Sequence, residues 1–370
     1  MNAYKKLGVG IIGCGGMGKG HARQLKEISS LEFIAVAETN KERREKICDE
    51  FGVQGYEDYH ELLQRRDIDL IHNATPSFLH ARITIDALKA GKHVFSEKPM
   101  GLSRVEMSDI LRAEKESGKL LQIDFEMRFG VLCKRIKELI DAGELGEVKS
   151  IYFIHSGVGV GFVKKSGDWR ADPAKVGGYY FEEGCHRLDL FRYWMGEEVA
   201  EVEAIPATEL QGPDGWHRGY KEPISTLCFF SGGKVANLVT LPHRGLAIPS
   251  SEIVFPMKVV NTGWEFGASL TGTDGSIRAD FIERYIQLFR FEGPDGRAES
   301  KRIENYIGIP EQKLWHDTNG FFIDFAERIL KGREPFMMAA DSWKTMAVVL
   351  ACEESLRQNG ERIDVDYELA

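Results

Sequence analysis

The feature that most constrains this chain is a regular alternation in its first third. Short apolar runs rich in β-branched residues, at 7–12, 33–37, 68–71, 93–95 and 120–123, are separated by longer stretches with helical periodicity at 17–29, 41–51, 78–90 and 104–117. The short runs carry few polar interruptions, which is the pattern of strands buried on both faces. Gly91 and Gly118 stand where helix C-termini want a residue that tolerates a left-handed backbone. Strand and helix alternating in this way build a doubly wound parallel sheet, so residues 1–125 are expected to form one α/β domain.

After a helix-like segment at 133–141 the grammar changes. Strand-like segments follow at 148–155, 199–207, 224–230, 234–241, 253–260, 265–272, 276–279 and, last, 285–291. The turn signals Ser231-Gly232-Gly233, Asp274-Gly275 and Asp295-Gly296 separate neighbours closely enough for antiparallel hairpins. Two helices, at 319–331 and 342–358 with Gly360 as cap, close the chain. At 370 residues the chain exceeds one ordinary domain of about 100 to 200 residues, so residues 126–370 are expected to form a second, α+β domain with a mainly antiparallel sheet and helices on one face.

Composition narrows the partners. Hydrophobic residues at 43% and charged residues at 28% are globular usage, and 57 acidic against 48 basic side chains give a net charge of −9. That balance repels nucleic-acid backbones and anionic membranes, and neither is expected as a partner. The six cysteines are scattered, with no CxxC pair and no His/Cys cluster at zinc spacing, which argues for reduced thiols in a cytoplasm and against a bound metal. Lys5 and Lys6 precede an apolar run, but that run dissolves into glycines and no segment of about 20 apolar residues follows.

Directly after the first strand comes Gly13-Cys14-Gly15-Gly16-Met17-Gly18, a GxGxxG that opens the first helix. Glycines here allow a tight turn and let the backbone approach a pyrophosphate, whose charge the helix N-terminus favours. The second strand ends at Glu38, 20 residues beyond Gly18, where a carboxylate accepts from a ribose 2′-hydroxyl and repels a 2′-phosphate. NAD is therefore the expected cofactor ahead of NADP, although Arg43 lies close by. Contacts to it are expected from Gly13, Cys14, Gly15, Gly16, Met17, Glu38 and Asn40. Further along, Asn73-Ala74-Thr75-Pro76 with His80, and Glu97-Lys98-Pro99, follow strands and so lie at the carboxyl edge of the sheet, where such sheets bind ligands. Thr75, Pro76, His80, Glu97 and Lys98 are expected to touch the cofactor, and Lys98 can also donate to a substrate hydroxyl.

In the second half, Glu182 and His186 are four apart, as one helical face requires, with Asp189, Leu190 and Tyr193 continuing it. Histidine suits taking a proton near neutrality. The same two residues would equally serve as a core hydrogen bond and a helix cap. Trp169 of the Asp168-Trp169-Arg170 cluster either stacks on a sugar ring or plugs the loop into the core. Cys185 is read as packing, and His21, His72, His93 and His155 as structural.

These pieces resemble the Gfo/Idh/MocA oxidoreductases, which include myo-inositol dehydrogenase and glucose-fructose oxidoreductase. The resemblance is carried by VGIIGCGGMGKGH, NATPSFLH, GKHVFSEKPM, the junction RFGVLCKRIKELIDAGELGEVKSI and DWRADPAKVGGYYFEEGCHRLDLFRYWMG, with GTDGSI and GREP near the end, and it spans nearly the whole chain. It implies a Rossmann domain followed by a substrate domain on a large open sheet that often pairs between subunits, here as a homodimer or homotetramer. It also implies a catalytic centre of Lys98, His186 and Glu182, with Arg128 near nicotinamide and substrate and with Trp169 and Arg170 near the substrate. The family usually has aspartate where this chain has Glu182. The implied activity is NAD-dependent oxidation of a secondary alcohol of a sugar, cyclitol or sugar derivative. Two other readings follow from the same family: a glycosidase that oxidises its sugar only transiently, favoured by Glu182 and the Tyr179-Tyr180-Phe181 run, and a non-catalytic NAD-sensing regulator. Segments 157–167, 211–222 and 246–257 would shape the pocket or an interface, and their residue types name no sugar.

Overall fold

Leu7–Ile12 form the first strand (β1), buried along its whole length, in a computed structural model that describes residues 6–26, 28–156, 169–206, 223–241, 266–292 and 297–370. Around it the chain lays down α1 (Gly16–Leu25), β2 (Leu31–Ala37), α2 (Lys41–Phe51), β3 (Gln54–Tyr56), α3 (Tyr59–Leu63), β4 (Leu70–Asn73), α4 (His80–Lys89), β5 (His93–Ser96), α5 (Arg104–Ser117) and β6 (Leu121–Ile123). The six strands are parallel in the order β3-β2-β1-β4-β5-β6. This is the doubly wound sheet expected from the alternation, and its switch point lies between β1 and β4. Local chemistry sets the helix ends: Ser103 and Glu106 form a capping box on α5, and Gly118 ends it with a left-handed backbone. Missing from the sequence reading are β3 and α3, three and five residues long, too short to carry a period. The helical run expected from 78 begins as a 3₁₀ turn at Ser77–Leu79 behind Pro76.

The second sheet has nine strands. α6 (Val131–Asp141) leads to β7 (Val148–Ser156), the short α7 (Pro173–Val176), α8 (Cys185–Met195), β8 (Glu201–Pro206), β9 (Pro223–Phe229), β10 (Val235–Leu241), β11 (Phe266–Gly272), β12 (Gly275–Asp280), β13 (Tyr285–Glu292) and β14 (Arg297–Asn305). Then come α9 (Glu311–Leu314), α10 (Thr318–Leu330), α11 (Ala339–Arg357) and β15 (Ile363–Asp364). The order is β14-β13-β12-β11-β7-β10-β9-β8-β15, antiparallel throughout except that β7 and β10 run parallel. The hairpins at 231–233 and 274–275 fall where the glycines predict them. β14 was not expected, because its sequence RAESKRIEN is mostly charged; it is an edge strand, where charge guards against further pairing. The strand expected at 253–260, the Asp295-Gly296 turn, Asp168 and the segments 157–167, 211–222 and 246–257 lie outside the described residues.

The chain divides into two units, residues 1–125 with 318–346 and 368–370, and residues 126–317 with 347–367. The sequence reading places 319–331 in the second domain, but α10 packs with the first unit. Phe321, Phe322 and Phe325 set their rings 5.9, 4.9 and 6.0 Å from that of Phe95 on β5, an aromatic cluster that hairpin and helix signals in the chain do not announce.

Candidate active site

In the first unit, Gly13 has φ +93° at the end of β1, and a Cβ on Gly18 would stand 1.9 Å from the Gly13 carbonyl oxygen, so both must be glycine for α1 to pack on the strand. Gly15 and Gly16 instead face open space, with nothing within 4 Å of an added Cβ. The first turn of α1 has no capping side chain and no acidic residue, which leaves its N–H groups and the positive end of its dipole for an anion.

Glu38 is buried at the end of β2. Its Oε2 accepts from the Cys14 N–H at 2.9 Å, and its Oε1 accepts from the Asn40 N–H at 2.8 Å and from Arg43 Nη2 at 3.2 Å. Thr39 Oγ1 adds a long contact of 3.5 Å to Oε1, whereas the Cys14 N–H takes one of the two lone pairs of Oε2, so that oxygen can still accept from a ribose hydroxyl. The carboxylate also joins burial in pushing the Cys14 thiol up to about 12, so Cys14 contributes its backbone and not a thiolate. Asn40 caps α2 by accepting from Arg43 N–H, and Met17 is half exposed at the helix start. A glycine cradle, a free helix N-terminus and a buried carboxylate are the parts a dinucleotide needs, and the residues fit NAD.

The loop after β4 and the loop after β5 are tied together by His80, whose ring nitrogens lie 2.8 Å from the Thr75 carbonyl and 2.7 Å from that of Pro99. Thr75 Oγ1 donates to Asn73 Oδ1 at 2.7 Å, and Asn73 in turn donates to the His80 carbonyl at 3.1 Å. Glu97 points inward to His21 Nε2 at 2.8 Å. Burial raises the Glu97 carboxyl, but the His21 hydrogen bond and the charges of His21, Lys98 and His80 outweigh it and hold the group below its ordinary value. The His72 ring lies 4.2 Å from that of His21, tilted by 39°, and burial, with the charge of His21, keeps it well below its ordinary value. Lys98, half-buried beside Pro99, leaves β5 at the carboxyl edge next to these loops.

The second unit holds the other expected residues. A π-turn at Tyr180–Gly184 precedes α8, with the Cys185 N–H donating to the Tyr180 carbonyl five residues back. That extra residue alters the simple i, i+4 relation expected for Glu182 and His186. Glu182 Oε1 accepts from Arg170 Nε at 2.9 Å, and the Arg170 guanidinium lies 4.3 Å from the half-buried Trp169 ring. Tyr179, Tyr180 and Phe181 are core residues, the two hydroxyls bonded to Thr240 and Thr226, so they lend no aromatic platform to a sugar. Arg128 is buried and grips Asp189 with both Nε and Nη2 at 2.7 Å.

His186 sits in the first turn of α8. Its Nδ1 is 3.5 Å from Oε2 of Glu126, whose other oxygen contacts His316 Nδ1. Sequence reasoning passed over Glu126 and His316: 190 residues part them and no motif holds either, although Glu126 stands immediately before the Met127-Arg128-Phe129 stretch.

A parallel dinucleotide sheet joined to a large mixed sheet defines a two-domain, nucleotide-dependent oxidoreductase architecture. The chain belongs to the Gfo/Idh/MocA oxidoreductase family: residues 7–125 match its NAD-binding Rossmann fold and residues 137–365 its C-terminal alpha/beta domain. It is 26% identical to the scyllo-inositol 2-dehydrogenase (NAD(+)) of Bacillus subtilis over 372 residues, covering 97% of this chain and 96% of that one. An oxidoreductase of the same organism is 31% identical over 204 residues, but the match spans 54% of this chain and 57% of its own length. Among solved structures, a levoglucosan dehydrogenase in complex with NADH and L-sorbose shares the fold, with a TM-score of 0.79, 22% identity and coverage of 98% and 99%. The chain is thus a dehydrogenase-type enzyme that uses NAD. Among the described residues no helix is long and apolar enough to cross a membrane.

Proposed function

We propose that the enzyme oxidises a secondary alcohol of a sugar or cyclitol, with His186 as the base. The observation that carries this reading is His186 itself, buried at the start of α8 with a Glu126 carboxylate oxygen 3.5 Å from its Nδ1, a contact that on shortening to a hydrogen bond orients the imidazole to accept a proton through Nε2. The inositol dehydrogenase relative supports a polyol substrate. Bound NAD supplies the hydride acceptor. The chain supplies the rest: the α1 N-terminus and Glu38 hold the dinucleotide, Lys98 donates a hydrogen bond to the reacting oxygen, and Glu182, held by Arg170, orients a neighbouring hydroxyl. The second unit carries substrate recognition. The cytoplasm is the proposed compartment, supported by six cysteines that are all free thiols.

The test is Lys98→Ala assayed by NADH absorbance over a panel of sugars and inositols. Turnover should fall by about 100-fold or more while NADH binding is retained. Wild-type turnover in that variant would remove Lys98 from the reaction, and release of nitrophenol from aryl glycosides without NADH would establish the redox-neutral reading instead.

A further inference from the structure

Oxidising an alcohol releases one proton per turnover, and a buried base must pass it to water before it can act again. His186 is only 4% exposed, whereas the side chain of His316 keeps 38% of its surface in solvent. Glu126 is buried between them, with Oε2 3.5 Å from His186 Nδ1 and Oε1 against His316 Nδ1. The two imidazoles stand 5.6 Å apart and nearly perpendicular. We propose that Glu126 and His316 form the proton exit of this enzyme, carrying the substrate's proton from His186 to solvent. The proposal rests on the reading of His186 as the base.

The steps balance as follows. The substrate O–H bond breaks as His186 Nε2 takes the proton, while the carbon's hydrogen leaves with both bonding electrons for NAD⁺. The resulting imidazolium gives its Nδ1 proton to Glu126 Oε2 as that contact shortens, as catalytic contacts do once substrate is bound. The carboxyl group, turning about its last carbon–carbon bond, gives the proton to His316 Nδ1, and His316 Nε2 releases one to water. His186 and Glu126 are then back in their starting charge states; His186 now carries its hydrogen on Nε2 in place of Nδ1, and both imidazoles regain their starting tautomers by exchange with water, His186 once the product has left its Nε2 side. Glu126 is thus a positioning and relay residue, and it does not touch the reacting carbon.

The neighbouring titratable groups do not compete. Cys133 faces Glu126, and burial together with that carboxylate pushes its thiol up, so it stays protonated. His155 faces His316, and burial, then Arg187 and His316, hold it well below its ordinary value. Its Nδ1 accepts from Arg187 Nη2 at 2.8 Å. Arg128 is neutralised by Asp189. A redox-neutral glycosidase returns its hydride and has no net proton to discharge, so a built exit to solvent belongs with net oxidation.

The experiment is stopped flow through the first and successive turnovers on wild type, His316→Asn, His316→Ala and Glu126→Gln, using an alcohol that the wild type oxidises, with NADH absorbance and a pH-indicator dye read together in weak buffer. Both His316 variants, altered at a half-exposed position, should release protons and turn over about tenfold more slowly or worse. Imidazole buffer should restore His316→Ala, and Glu126→Gln should be slow and unrescued. Wild-type proton release from the His316 variants in weak buffer, or slowness that imidazole does not relieve, would overturn the relay while leaving His186 as base. Absence of NADH from the wild type over the whole panel would sink the base assignment and the relay with it.

Discussion

At the scale of single residues the cofactor half of the enzyme is fixed by backbone geometry. Gly18 is the sharpest case, because a methyl group there would overlap the Gly13 carbonyl at 1.9 Å, and backbone on both sides cannot yield cheaply. Gly18→Ala should therefore cost about 1 to 3 kcal/mol of stability, a Tm drop of several degrees, and abolish the thermal shift given by NADH. An unchanged NADH shift in that variant would show that the α1 N-terminus does not hold the dinucleotide. Glu38 and Arg43 illustrate a different economy at the same scale. The arginine is half exposed yet spends a guanidinium nitrogen on the carboxylate, which lessens its availability to a 2′-phosphate. The buried Arg128–Asp189 fork was legible only as two charged residues in separate stretches; their pairing across 61 positions needed the fold.

Among elements, the π-turn before α8 decides how His186 is presented. It is anchored from α11, where Glu353 Oε1 accepts from the Tyr180 N–H at 2.7 Å. Burial pushes the Glu353 carboxyl up to about 7, with the Tyr180 N–H and Arg357 acting in the opposite direction. Because the folded value lies above the ordinary 4.5, the stability contributed by this group is complete below about pH 4.5 and is lost as pH rises through 7. Glu353→Gln keeps the acceptor without the charge. Relative to wild type it should gain stability between pH 5 and pH 8, by up to about 3 kcal/mol, read as a Tm difference that grows with pH. An identical difference at both pH values would show that Glu353 is ionised at no cost. Elements with clear local signals, such as α2, α5 and β1, were legible to the residue: β1 is an unbroken apolar run, α5 buries Met107, Ile110 and Ala113 at helical spacing, and α2 lies between the Asn40 cap and Gly52. The π-turn was not, because one inserted backbone residue leaves the side-chain pattern nearly unchanged.

For the whole molecule, the nine-stranded sheet is the element with unfinished business. Ile151, Phe153, Ala236, Leu238, Ala268 and Leu270 bury one face. On the other, the register aligns Ile303, Gln287, Arg278, Ser269, Tyr152, Asn237 and Leu227 across seven strands, with Tyr152 and Ile303 among the exposed large apolar residues. We propose that this face pairs with a second copy, giving a homodimer or homotetramer, since a broad sheet face with exposed apolar side chains is more stable covered. Light scattering coupled to gel filtration should find an oligomer at micromolar concentration, and Tyr152→Glu should shift it toward monomer without unfolding it. A monomeric wild type would rule the pairing out.

What the chain's residues determined by themselves was everything local or periodic: the doubly wound sheet, the glycine cradle, the acid at Glu38, and the family likeness spread over almost the whole length. Those properties depend on neighbours within a turn, a strand or one βαβ unit, so spacing along the chain records them. Tertiary structure alone decided which distant side chains share a proton or a charge. It sent α10 to the first unit through Phe95, gave Glu182 to Arg170, buried the tyrosine pair under Thr226 and Thr240, and set Glu126 between two histidines that are 130 residues apart. Contacts of that kind arise from how sheets and helices pack, and burial makes them strong, but no period or motif in a single sequence encodes them.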